Sequence, residues 1–453
     1  MNLTTPQIFF ALVFLIFLSL SPSLPGQTGG RFLGDYTYEN EELARIPDSS
    51  PARVRILDEL LAPLSELGPQ LNRILEDPFM TQRVQFRVEE DSIRGFTYLL
   101  LENEVRDSHT FRSSFPLSAA GNVIIRRSHD DGQIDQIKFF LGQGPHVFLR
   151  FYPLGRSQSR ASFFAYNDEL PLIEDLILPM GIERVLTLPT WDLLRLLSEN
   201  RQWGRFLVPD DLEEYDLVQE MVNTLRPLLP TLPDAEDGAM DASGMLIKIE
   251  SLLDTGLPGF NCSGFAKWVA DGIYYQITGE FMGIDELKEK HLDLRGSAIG
   301  LEFEDLRDPY FGLDWTRNIA NILSEARYGT VFTPEDADVR NVPFFEYVED
   351  MGYQVVDLWQ VMYLLALTDP GSWYLGSVNG EFGSSRSLWQ HYHVVAFFPY
   401  FDAEGVFRVS VMERNLETGI DALVQRYPRE YMHLVRLPAP PNEGYAPPLI
   451  QIQ

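Results

Sequence analysis

An α+β fold follows from three features of the sequence. Between residues 83 and 166, short apolar runs ("RVQFRV", "GFTYLLL", "GNVIIRR", "QIKFFL", "HVFLRFYP", "RASFFAY") are separated by the turn-formers "HDDGQ", "GQGP" and "GRSQS". Strands punctuated in this way predict an antiparallel sheet. After them, "WDLLRLLSENRQW" and "DLEEYDLVQEMVNTLRPLL" carry apolar residues at helical spacing. Beyond residue 245, a helix pattern that opens at a lone cysteine is followed by a strand hairpin. The 453 residues are 45% hydrophobic and 12% aromatic, a globular composition.

The elements divide the chain as follows. Residues 1–26 contain an apolar run from Ile8 to Leu20, broken only by Ser19, and then "SPSLPG". That is the core of a secretory signal or of an N-terminal membrane anchor, so an exported chain in the periplasm or cell envelope is expected. Residues 31–226 form the strand-rich first domain. It opens with "LDELLAPLSELGPQLNRIL", a helical pattern that Pro63 and Pro69 cut into short pieces. Residues 227–244, rich in Pro, Asp and Gly, read as a solvated linker. Their "DAEDGAMD" lacks the twelve-residue ligand spacing of a calcium loop. Residues 245–437 are the second domain, and 438–453 read as an extended proline-rich tail.

The net charge of −30 lies wholly outside residues 1–30, which hold no charged side chain. Such a field repels phosphate backbones and anionic headgroups, which argues against nucleic acid as a partner and favours a neutral or cationic ligand. With one cysteine, Cys262, no intramolecular disulfide can form. An exported chain that keeps an odd thiol pairs it between chains or uses it, unless the thiol is buried and inert.

The surroundings of Cys262 favour use. Phe265, Trp268, Val269 and Ile273 mark one face of a helix expected to end near Asp271–Gly272, with Cys262 in its first turn. Free amides and the positive end of the helix dipole favour thiolate there and can also bind an oxyanion. Asn261, Ser263 and Gly264 would border a substrate, with Gly264 leaving room for its backbone.

A thiol nucleophile needs a base. His393 opens the apolar strand "HVVAFFPYF", and "DAEG" turns it into "VFRVSVMERN". A three-residue loop, Ala403–Gly405 with Gly405 left-handed, pairs 402 with 406. That register sets His393 opposite Asn415, with Glu413 diagonal to it on the same face. A four-residue loop would turn both away. Either polar residue bonded to one ring nitrogen would leave the other for the thiol.

These residues carry a resemblance. "NCSGFAKWV" resembles the Cys-Ser-Gly box of NlpC-type peptidases, and "HVVAFF" with "VSVMERN" is similar to the His strand and Glu-x-Asn of CHAP amidases. Both families belong to the papain-like superfamily, whose members cut amide bonds, commonly in peptidoglycan. The resemblance implies a papain-like domain in which a helix packs on an antiparallel sheet. It further implies Cys262 as nucleophile, His393 as base and Glu413 or Asn415 as orienter, with a cell-wall peptide as substrate; separately, no cofactor or metal is expected. An inactive scaffold and an acyltransferase are the competing readings.

Between Cys262 and His393 the sequence predicts a helical insertion. "LDWTRNIANILSEA" would be capped by Asp314 or Thr316, and "VVDLWQVMYLLALT" would end at "DPG". Trp373, Tyr374 and Trp389 are candidates to line a groove, with core packing the alternative for each. His391, two residues from His393 and so expected on the same face, is a fallback base; the pair is too small a ligand set for a metal. His146 precedes Cys262, against the family order.

Overall fold

The computed structural model describes residues 46–76, 82–106, 112–198, 207–209, 211–249, 258–291, 312–382 and 388–450. The expected leader lies outside them. Helices α1 (Ser50–Arg55) and α2 (Leu57–Leu60) precede an eight-stranded sheet: β1 (Arg73–Leu75), β2 (Val84–Asp91), β3 (Phe96–Asn103), β4 (Val123–Ser128), β5 (Ile134–Phe140), β6 (Val147–Pro153), β7 (Ser159–Ala165) and β8 (Ile173–Leu178). Each strand pairs antiparallel with its neighbour in that order. Six of the strands answer to the six apolar runs; the short β1 and β8 have no such run.

Alternation gives this sheet two faces. Phe86, Leu99, Ile125, Phe139 and Phe151 are fully buried and join a core with Ile56, Leu60, Val185 and Leu186. The last two belong to helix α3 (Ile182–Thr187). On the outer face, Phe140, Phe148 and Phe164 form a separate small cluster.

Helices α4 (Thr190–Ser198) and α5 (Asp216–Leu225) follow. The segment expected as a solvated linker is packed instead. Leu229, Ala239 and Met240 are buried, and β9 (Ala239–Met240) pairs with β10 (Leu246–Ile247). Its Pro, Asp and Gly residues shape turns that lie against the next helix.

That helix is α6 (Cys262–Thr278), followed by α7 (Ile284–Leu287) and α8 (Gly312–Tyr328). α6 runs past the expected stop and ends at Gly279, which is left-handed at φ +78°. Gly272 serves packing: a Cβ there would stand 2.7 Å from Tyr445 and 3.0 Å from the carbonyl of Ala446. The proline-rich tail is thus a strap along α6, with Trp268 Nε1 donating to the Pro448 carbonyl at 2.9 Å and Tyr445 Oη to that of Val269 at 2.9 Å.

The second sheet contains β11 (Tyr353–Gln354), β12 (Ser372–Phe382), β13 (Leu388–Phe401), β14 (Phe407–Glu413), β15 (Leu416–Thr418) and β16 (Tyr431–Pro438), in the spatial order β11-β16-β12-β13-β14-β15, all antiparallel. Helices α9 (Leu358–Thr368) and α10 (Ile420–Arg426) fall between strands of this sheet in sequence. α9 stops before Asp369–Gly371, in line with the "DPG" signal. α8 begins upstream of both expected caps: Asp314 lies in its first turn, and Thr316 bonds back to the Leu313 carbonyl and to Ser377. Arg317, fully buried on α8, holds Asp338 at 2.7 Å and Asp350 at 3.1 Å, and the Asp338 backbone bridges to Val435 of β16, which ties the insertion to the sheet. Among the described residues no helix is long and apolar enough to cross a membrane.

The two sheets share one core. Tyr166 stacks on Trp359 with centroids 4.9 Å apart, and Tyr363 packs on Phe163, Phe401 and Phe407. Burying each such aromatic side chain is worth about 2 kcal/mol.

Candidate functional site

The site begins with a cap. Asn261 has extended backbone, and its Oδ1 accepts the Gly264 amide at 2.7 Å, so α6 starts at Cys262. The remaining first-turn amides have no acceptor within the helix, which directs the positive end of the dipole to where the sulfur sits. Trp315 Nε1 donates to the Ser263 carbonyl at 3.0 Å, so α8 buttresses the same turn. Gly264 does not open a path for substrate. A Cβ there would stand 2.0 Å from the Gly238 carbonyl oxygen, so the chain's own β9 strand fills that space.

The hairpin supplies the other partners. Asp402 and Val406 close the loop at 3.0 Å, Gly405 has φ +72°, and Phe401 pairs with Phe407 and Ala396 with Met412. This is the three-residue connection and its register. β14 ends at Glu413, however. Arg414 takes φ +49° and turns the chain into β15, so Asn415 lies in a two-residue turn and not opposite His393. Glu413 is the residue bonded to His393, with Nε2 and Oε2 2.6 Å apart. The same ring also has a side-chain hydrogen bond with Cys262. Cys262 is partly exposed, His393 is 17% exposed and Glu413 is 7% exposed, so the three are sheltered without being sealed.

Electrostatics follow from those contacts. Burial pulls the His393 imidazolium toward neutrality, but the hydrogen bonds and charges of Cys262 and Glu413 outweigh it and push the ring up to about 9. Burial favours the protonated form of Glu413, yet bonds from His393, Arg426 and Thr418 hold it down at about 2. Thr418 Oγ1 donates to Oε1 at 2.7 Å, and Arg426 donates to the same oxygen. The carboxylate is therefore fixed at both ends.

Tyr427 stands over this centre, its ring 6.3 Å from that of His393 and edge-on to Tyr392 at 6.0 Å. Arg426 lies over the Tyr427 ring at 5.2 Å. Thr418, Arg426, Tyr427 and Tyr392 carry no local motif, and only the β15 turn and α10 bring the first three to the site.

Other expectations are revised. The register of β13 against β12 shifts between Val378–His393 and Asn379–His391, so Tyr392 is an extra residue. Because adjacent positions on β12 point to opposite faces, His391 and His393 also point apart. His391 is fully buried, with Nε2 2.9 Å from the Asp350 carbonyl, and is not placed to serve as the base. Trp373 and Tyr374 line no groove: both are fully buried, Trp373 stacked on Phe398 at 5.3 Å and Tyr374 bonded to Asp369 at 2.9 Å. Trp389 is partly buried, edge-on to Tyr431 at 5.3 Å. His146 stacks on Tyr166 at 5.4 Å, in the aromatic seam between the sheets.

Residues 42–205 match the family described as Domain of unknown function (DUF8515). No curated protein and no solved structure matches the chain.

Proposed function

We propose that this chain is a thiol hydrolase that cuts amide bonds through Cys262, His393 and Glu413. The observation that carries the reading is a single imidazole bonded to a sulfur at a helix N-terminus on one side and to a fixed carboxylate on the other. Nucleophile, base and orienter stand in the chain order of the papain-like superfamily that the motifs resemble.

The chemistry follows from the groups present. The Cys262 thiolate attacks the amide carbonyl carbon, and first-turn amides of α6 stabilise the oxyanion that forms. His393, protonated in the resting pair, gives its proton to the amine nitrogen as the C–N bond breaks and a thioester remains. Water then attacks the thioester with His393 taking its proton, the carboxylic acid leaves, and the sulfur is regenerated. Glu413 keeps the ring oriented and stabilises its positive charge throughout.

The amide polymer that fits the resemblance and the expected export is peptidoglycan, cut in its stem peptide or at its link to the sugar. The test is to incubate the chain with purified wall polymer and identify the fragments by mass spectrometry. New amine and carboxyl termini, absent with Cys262→Ala, support the reading. An unaltered polymer together with unaltered small amide substrates overturns it.

A further inference from the structure

We propose that Lys138 and Arg150, side by side on the outer face of the first sheet, form a docking site for a carboxylate-bearing peptide. On the reading above, that peptide is the acidic stem of the polymer whose amide Cys262 attacks, and the source of the ligand rests on that reading.

The register makes the case. Lys138 on β5 pairs directly with Arg150 on β6. Residues so paired have Cβ atoms about 5 Å apart, and like charges in that position repel. A sheet tolerates the repulsion when carboxylates intervene, and the neighbouring cations on this face have them. Arg87 lies 2.7 Å from Glu102, Arg126 2.6 Å from Asp135, and Arg160 3.4 Å from Asp175. Among the described residues no carboxylate stands within ion-pair distance of Lys138 or Arg150. Burial pushes the Lys138 ammonium down to about 8, and from beyond ion-pair distance the Asp168 charge favours its protonated form more than Arg150 opposes it. Arg150 reaches neutral oxygens alone, the Tyr152 hydroxyl at 3.3 Å and the Asp168 carbonyl at 3.4 Å, and its Nε has no acceptor.

The two cations lie over aromatic rings that set their height and direction. Lys138 Nζ is 3.4 Å from the centroid of Phe148, and the Arg150 guanidinium is 4.2 Å from that of Phe164. The Lys138 ammonium and the Arg150 guanidinium thus lie on the Phe140, Phe148 and Phe164 cluster itself. An anion bridging Lys138 Nζ and the terminal nitrogens of Arg150 would offset the repulsion between them. The overall charge of −30 does not forbid this, because screening over about 8 Å at physiological salt leaves the nearest charges dominant. The face also gives the first domain a role the thiol centre lacks: holding an anionic polymer that an acidic protein would otherwise repel.

The test uses the full chain with Cys262→Ala, which cannot cut its ligand. The probe is an oligo-glutamate peptide with a neutral fluorescent label, followed by anisotropy, with oligo-glutamine as the uncharged control. We expect saturable binding of oligo-glutamate that weakens at least about tenfold in Lys138→Met/Arg150→Gln, a pair chosen to keep the apolar cover, and survives in Lys138→Arg/Arg150→Lys. Equal binding of both peptides, or affinity unchanged in Lys138→Met/Arg150→Gln at an unchanged melting temperature, overturns the proposal. Hydrolysis of a short neutral amide by chains with Cys262 intact separates the two readings. Hydrolysis without oligo-glutamate binding removes the docking site alone; charge-dependent binding without hydrolysis keeps the docking site and removes the hydrolase.

Discussion

His393 Nε2 and Glu413 Oε2 stand 2.6 Å apart, while the other carboxylate oxygen is held by Thr418 and Arg426. A carboxylate fixed at three points can orient an imidazole, and a charge so placed favours the protonated ring.

Glu413→Ala is expected to lower kcat on an amide substrate by about a hundredfold, the scale of losing a positioned acid–base group. Asn415→Ala should change it less than twofold, since Asn415 sits in the turn beyond the strand. Arg426→Gln should lower kcat by an intermediate amount and shift the lower limb of the pH–rate profile upward, because Glu413 loses one of the bonds that hold it ionised.

The hairpin that delivers Glu413 was legible because its turn chemistry is local. Gly405 after "DAE" favours a three-residue loop over the four-residue alternative, and the loop sets the pairs behind it. The choice between Glu413 and Asn415 was not legible, since it depends on where β14 ends, and only the left-handed Arg414 decides that. The bulge at Tyr392 likewise leaves no local mark, yet it points His391 away from His393. Gly264 and Gly272 read as room for substrate and as a helix stop because distant segments, β9 and the tail, define the space they open.

Stability should depend on pH through the same pair. The folded His393 pKa of about 9 exceeds its ordinary 6.5, so its contribution is full below about pH 6.5 and is lost as pH rises through about 9. Glu413 works in the opposite sense: its contribution is present above its ordinary 4.5 and is lost as pH falls through about 2. Melting temperatures of wild type and His393→Ala should differ most near pH 6 and converge toward pH 9 to 10. A difference that grows with pH contradicts this.

Asn261→Ala is expected to destabilise the chain by about 1 kcal/mol through loss of the cap, and Asn261→Asp to retain stability. Chemical denaturation measures both. Gly264→Ala should cost more, about 1–3 kcal/mol as for an overpacked core, because its new methyl meets the backbone of Gly238.

His391→Gln should leave the reactivity of Cys262 within about twofold of wild type while lowering the melting temperature, as expected when a buried hydrogen-bonded group is altered. Loss of thiol reactivity in a folded His391→Gln protein would contradict the assignment of His393 as the base.

The most direct measurement is the rate of Cys262 alkylation by iodoacetamide near neutral pH, followed by intact-mass spectrometry of wild type and His393→Ala. The pairing of sulfur and imidazole predicts rapid alkylation of the native chain and at least about tenfold slower alkylation in the variant, where the thiol loses the cation that favours its ionised form. Equal, slow rates in both would contradict a thiol activated by His393.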